Sequence, residues 1–288
     1  MKVLVLGGDG MLGHQVARRL GSSHEVVATV RKAPSTIVTA ALAGCRVITG
    51  VDIQVPGALE TVRETGADAV VNVVGIVKQR TADPTESIAV NSLFPHQLAN
   101  ACRKADTRLI HISTDCVFSG ARGDYRESDT PDPHDLYGLT KLLGEVSGPG
   151  SLTIRTSMIG LELANHASLI EWFLRQPSEV QGYRRAIWSG LTTAELARVI
   201  ERLLTEQPKL NGVWHVSGEP ITKFDLLTRL AAMLGRHVDI VADDRVVIDR
   251  SLNSERFRAA VGYDPPSHDE MLSELASAVM AREEKSVA

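Results

Sequence analysis

Apolar residues come along this chain in short solid runs, and between the runs they recur at helical spacing. The run "KVLVLG" (2–7) is followed by "MLGHQVARRL" (11–20), which sets Leu12, Val16 and Leu20 on one face. Further runs rich in Val and Ile stand at 24–30, 45–50, 68–74 and 107–113, with helical stretches around 35–43, 56–65 and 86–104. One more cycle puts a helix at 135–147 ahead of "SLTIRTS" (151–157). A solid apolar run is a strand buried on both faces. Strands alternating with helices at this interval predict a parallel sheet covered on both sides, an α/β fold of the Rossmann-type, doubly wound kind.

Beyond residue 160 the rhythm becomes irregular. Thr192 or Thr193 can cap a helix ahead of Glu195, "GVWHVSG" (212–218) reads as a strand, and 222–235 is a helix closed by Gly235. Two last helices are parted by Pro265-Pro266, and the tail 281–288 is expected to fray. This divides the chain into a dinucleotide-binding domain over 1–160 and, mainly over 161–288, a small C-terminal α/β lobe for substrate, packed on the first. No repeat or low-complexity linker interrupts them.

Composition narrows the class. A hydrophobic content of 43% with 23% charged residues is that of a soluble globular protein. The net charge of −4 gives no basic footprint, so neither nucleic acid nor an anionic membrane surface is expected as a partner. No apolar run approaches the ~20 residues of a membrane span. Met1-Lys2 leads straight into the first strand with no cleavage site, which argues against a signal peptide. Cys45, Cys102 and Cys116 are odd in number and widely spaced. Neither a disulfide framework nor a metal site is expected, and a cytoplasmic location is.

The first turn changes the picture. "GGDGMLG" (7–13) follows one strand and opens one helix, so that Gly7, Gly10 and Gly13, with Met11 and Leu12 between them, form a dinucleotide-binding loop. Glycines there allow a tight turn and close approach of a pyrophosphate to the helix N-terminus. An NAD site usually carries an acid at the end of the second strand, where this chain has Arg31 and Lys32. A guanidinium pairs bidentately with a 2′-phosphate, which favours NADPH over NADH; read blandly, both are exposed loop cations. Asp52 and Ile53 can flank the adenine, and Val74 and Gly75, ending the fourth strand, can face the nicotinamide ribose.

Polar residues stop the fifth strand at Ser113, Thr114 and Asp115, on the edge where ligands of open α/β sheets sit. Tyr137 and Lys141 follow at i, i+4 and share a helical face. A phenol exchanges protons poorly near neutrality unless a cation stabilises the phenolate, and Lys141 supplies one. Thr114 can polarise a carbonyl while Tyr137 delivers a proton. His111, inside a buried strand, reads as structural, and Cys116 as a small pocket residue.

The glycine loop, "STDCVF" and "YGLTK" occur in the order and spacing of the extended short-chain dehydrogenase/reductase superfamily. "STDCVFSG", "SDTPDPHDLYGLTKLLGE" and "IRTS", with the later "GLTTAELARVI", "GVWHVSGEPITKFDLL" and "RSLNSERF", resemble its dTDP-4-dehydrorhamnose reductase branch over nearly the whole chain. The resemblance implies reduction of a 4-keto group on a nucleotide-linked 6-deoxysugar by Thr114, Tyr137 and Lys141, with Ser113 at the cofactor and Asn91 and Phe118 beside the substrate. It also implies a homodimer, through helices near 86–104 and 135–147, as one option. Arg184, Trp188 and Arg250 suit a diphosphate and a base or sugar face, and a surface or core role is as ready an explanation for each. The chain departs from the branch at Cys116, where a tyrosine is usual, and at Lys78 and Arg80, which enter a region that could alter selection of sugar or cofactor. Two other readings share the scaffold: a nucleotide-sugar epimerase or dehydratase, whose acidic pair beside the threonine is incomplete here, and a non-catalytic NADP-binding regulatory subunit.

Overall fold

The computed structural model describes residues 1–55, 57–77 and 83–287, with side chains through residue 284. Its centre is a seven-stranded sheet of β1 (Lys2–Leu6), β2 (Glu25–Val30), β3 (Arg46–Thr49), β4 (Ala69–Asn72), β5 (Arg108–Ile112), β6 (Ser151–Arg155) and β7 (Gly212–His215). The order is β7-β6-β5-β4-β1-β2-β3, and the neighbours from β6 through β3 pair in parallel. The chain reverses direction across the sheet between β1 and β4, which makes this the switch point where such sheets bind ligands. β1, β4 and β5 are buried along almost their whole length, as their unbroken Val, Leu and Ile runs require.

Two compact units result. The first comprises Met1–Phe118, Thr130–Arg155 and Thr193–Trp214; the second Ser119–Asp129, Thr156–Thr192 and His215–Ala288. In place of one crossing at residue 160, the chain passes between them several times. The helix Thr193–Thr205 is amphipathic and packs on the helix Gly13–Leu20, with Arg19 paired to Glu201. β7 then finds its place at the sheet edge beside β6. Both lie late in sequence but belong to the first unit, because each completes a face of its sheet.

Each unit has its own core. In the first, Leu4, Leu6, Val27, Val70 and Leu109 pack with Val62, Phe94 and Leu98 from covering helices. In the second, Ile159, Ile170, Phe173 and Trp188 pack with Leu226, Leu230, Leu272 and Leu275. There the helix Lys223–Met233 is capped by Thr222, whose hydroxyl accepts from Asp225 N. The last helix, His268–Val287, runs through most of the tail expected to fray. No helix among the described residues is long and apolar enough to cross a membrane.

The predicted helix over 86–104 is three pieces: Pro84–Ile88, a π-helical turn Ala89–Leu93, and Phe94–Lys104. Pro95 has no N–H to offer the carbonyl of Asn91 four residues earlier, so the α-helical ladder breaks there. That carbonyl faces Gly144, where a side chain would collide with it. The break thus brings the end of the helix Leu136–Leu143 against residues 89–93.

Candidate active site

The glycine loop sits at the carboxyl end of β1. Gly7 adopts φ +87°, and its N–H donates to Thr29 Oγ1 at 3.3 Å. A Cβ on Gly13 would collide with the carbonyl of Gly7, while one on Gly8 would stand 2.9 Å from Ala28 Cβ. No side chain caps the helix Gly13–Leu20 at Leu12; in its first turn His14 N donates to Gly10 O and Val16 N to Leu12 O. These features fit a dinucleotide pyrophosphate. His14, which the sequence reading passed over, braces the loop. Its Nδ1–H donates to Gly10 O at 2.8 Å, and burial lowers its pKa, keeping the ring neutral.

Of the other cofactor candidates, Met11 is half-buried on the loop and Leu12 is buried under it. Arg31 and Lys32 are exposed just past β2 and form no ion pair among the described residues. Asp52 accepts from Gln54 N, and Ile53 leans on the core of the unit. Val74 and Gly75 continue β4, where Asn72 Oδ1 accepts from Val74 N at 3.1 Å. Lys78 and Arg80 lie outside the described residues.

The candidate catalytic residues come from two elements. Thr114 leaves β5 and caps a short 3₁₀ turn, accepting from Cys116 N at 3.1 Å while its hydroxyl donates to Asp115 Oδ1 at 3.1 Å. Tyr137 stands in the first turn of the helix Leu136–Leu143, which Asp135 caps by accepting from Gly138 N. The Tyr137 phenol lies close to the Thr114 hydroxyl. Burial drives the Tyr137 pKa up, the Cys116 thiol adds to this, and the nearby Thr114 hydroxyl opposes it. Lys141 is deeply buried and donates from Nζ to Ile112 O at 2.6 Å. Burial pulls its pKa down to about 8, with the charge of Glu145 pulling the other way.

His111 is structural, as read. Asn72 Nδ2–H donates to its Nδ1 at 3.1 Å across neighbouring strands, and complete burial drives its pKa well below the usual value, so it is neutral.

Five candidates have their polar groups or rings engaged within the protein. Ser113 Oγ donates to Glu145 at 2.7 Å. Asn91 spends its amide on Ile76 N, Ile76 O and Thr140 Oγ1, clamping the segment after β4. Phe118 is fully buried with the Arg155 guanidinium over its ring at 5.3 Å. In the second unit, Arg184 is exposed and paired with Asp244, and Trp188 is a core residue whose indole N–H donates to Ser157 Oγ at 2.9 Å. Arg250 is half-buried beside Gly120. These partners come from distant parts of the chain, so no local pattern announces them. Glu145 was also missed, although it stands at i+4 from Lys141 as Lys141 does from Tyr137.

Residues 1–248 match the family model described as RmlD substrate binding domain. The spore coat polysaccharide biosynthesis protein SpsK of Bacillus subtilis is 28% identical over 229 residues, 76% of this chain and 74% of that protein. A dTDP-4-dehydrorhamnose reductase of Mycobacterium tuberculosis is 34% identical over 193 residues, 63% of this chain and 54% of that protein, so the match spans about half of that relative. Among solved structures, a hypothetical dTDP-4-dehydrorhamnose reductase from Sulfolobus tokodaii covers 93% of this chain and 98% of its own, at 26% identity and a TM-score of 0.78.

Proposed function

The chain belongs to the RmlD substrate binding domain family, and from that premise we propose that it is an NAD(P)H-dependent reductase of a nucleotide-linked 4-keto-6-deoxysugar. One observation carries the reading. The Tyr137 phenol lies close to the Thr114 hydroxyl at the carboxyl end of β5, with Lys141 one turn further along the same helix.

When bound, the nicotinamide supplies the hydride. Gly7, Gly10, Gly13 and the helix behind them would hold its pyrophosphate, and Val74, Gly75 and Lys141 its ribose. Tyr137 gives its proton to the ketone oxygen as that oxygen gains charge. Thr114 turns its hydroxyl from Asp115 to the same oxygen. Lys141, an ammonium below about pH 8, stabilises the phenolate left behind. NADPH is the preferred cofactor on this reading, because Arg31 and Lys32 stand exposed where a 2′-phosphate would fall.

Reduction is favoured over dehydration at Asp115. That carboxylate already accepts from Thr114, and Cys116 follows it where a second acid would serve proton abstraction. A homodimer is proposed through Ile88, Leu93, Leu139 and Leu143, which are exposed on adjoining elements of the first unit. The proposed setting is the cytoplasm, in keeping with Cys45, Cys102 and Cys116 all being free thiols.

The reading is tested by following NADPH oxidation against a panel of dTDP- and UDP-linked 4-keto-6-deoxyhexoses. Turnover with at least one is expected. Its absence across the panel overturns the assignment.

A further inference from the structure

Behind the reacting residues lies a second, largely buried set of charges. Glu145 follows the helix that carries Tyr137 and Lys141, just past its closing Gly144. Its Oε1 accepts from Ser113 Oγ at 2.7 Å and from Arg155 Nε at 2.8 Å, and its Oε2 from Arg155 Nη2 at 2.7 Å. Both members of the Glu145–Arg155 pair are only 7% exposed. Ser113 immediately precedes Thr114, and Arg155 ends β6 with its guanidinium over Phe118.

Removing two charges from water costs several kcal/mol per ion, and a buried pair of this kind adds little net stability. A purely mechanical brace between helix and strand could have been apolar at lower cost. What an apolar brace lacks is a negative charge that acts on a buried lysine.

We propose that Glu145 is a positioning residue of the reductase site: it ties the strand end bearing Ser113 and Thr114 to the helix bearing Tyr137 and Lys141, and places a buried negative charge on Ser113, the residue next to the Ile112 carbonyl that holds the Lys141 ammonium. The inference rests on the reading above for its catalytic meaning, and on geometry for the tie itself. Successive residues of an extended strand point to opposite sides. Holding Ser113 by its hydroxyl therefore fixes the direction in which Thr114 meets Tyr137.

The groups facing Lys141 make Glu145 the one that counts electrostatically. From β5 comes His111, which is neutral; from the segment after β4 and from residues 89–93 come Gly75 and Asn91, both uncharged. Arg155 on β6 is paired with Glu145 and is not among the groups that shift Lys141. Burial lowers the Lys141 pKa, and the charge of Glu145 raises it.

The test uses the whole chain labelled with ¹³Cε-lysine, in which the resonance lost in Lys141→Met reports this one ammonium among eight lysines. Glu145→Gln is expected to move its titration midpoint down by about one pH unit, and the upper limb of the kcat profile with it. kcat at neutral pH should fall roughly tenfold while KM for NADPH changes less than about twofold. Glu145→Asp keeps the charge and should recover most of the midpoint. Should Glu145→Gln leave Arg155 unpaired and fail to fold, Glu145→Gln/Arg155→Met removes both charges and should also titrate below the wild type. A folded variant whose midpoint equals that of the wild type overturns the proposal, whatever happens to its Tm. The titration needs no turnover, so a failed keto-sugar panel would sink the reductase reading and still leave this inference to be decided.

Discussion

Gly138 lies so close to the carbonyl oxygen of Cys116 that any side chain at 138 would collide with it, and a Cβ would also stand 2.8 Å from that of Pro133. The helix carrying Tyr137 therefore rests directly on the turn capped by Thr114, and this contact sets the distance between the two hydroxyls. Gly138→Ala should push the helix off the turn. We expect kcat to fall about 10- to 100-fold, because reacting groups lose their alignment over fractions of an ångström. NADPH binding, followed by fluorescence titration, should change little, since the glycine loop is on another element. An unaltered kcat would show that the contact does not set the alignment.

Tyr137→Phe removes the proposed proton donor and is expected to leave the fold intact. Turnover should drop by roughly 10²- to 10⁴-fold, the usual worth of a positioned general acid, with NADPH affinity nearly as before. Wild-type turnover in this variant would assign the proton to another group.

Arg31→Ala isolates the cofactor preference. Losing a charge-assisted contact to the 2′-phosphate should lower kcat/KM for NADPH about tenfold or more and leave that for NADH almost unchanged. A constant ratio of the two would mean that the 2′-phosphate is held elsewhere.

Lys141 makes the site costly in a predictable pH range. Its pKa is about 8 in the folded protein against the ordinary 10.5. Between those values the unfolded chain binds more protons than the folded one, so the unfolding free energy of the cofactor-free protein should rise with pH across that window. Below about pH 8 the penalty is present in full. Lys141→Met should then abolish turnover while raising stability at neutral pH. The gain should be about 1–2 kcal/mol after allowing for the lost hydrogen bond to Ile112. Urea unfolding at pH 7 and pH 9.5 checks both; a destabilised Lys141→Met protein would contradict the burial argument.

The proposed dimer is tested on its most exposed apolar residue. Leu143 is 63% exposed at the end of its helix, with Leu139 and Leu93 also open to solvent. Leu143→Glu would put a like charge on both sides of a two-fold contact. Sedimentation should show a dimer for the wild type and a monomer for the variant. Equal masses for the two would remove this face from consideration.

The sequence by itself determined the elements and their class. Strand runs such as "KVLVL" and "RLIHI" are buried on both faces, and that shows as unbroken hydrophobicity. The turn at 7–13 needs glycine for reasons set by its own backbone, and Tyr137 and Lys141 share a face because four residues make about one helical turn. All of these are short-range constraints, readable in a window of a dozen residues.

Only the tertiary structure decided where polar side chains spend their hydrogen bonds. Asn91 matched an asparagine beside the site, yet it holds Ile76 and Thr140, fifteen and forty-nine residues away. Ser113 is taken by Glu145, Phe118 lies under Arg155, and Arg184 belongs to Asp244. β7 likewise joined the central sheet from far down the chain, because β6 had an open edge. A hydroxyl, amide or guanidinium is satisfied by whatever folding brings within about 3 Å, and burial makes leaving it unsatisfied expensive. Such partners are chosen across the sheet and between helices, where sequence spacing carries no information.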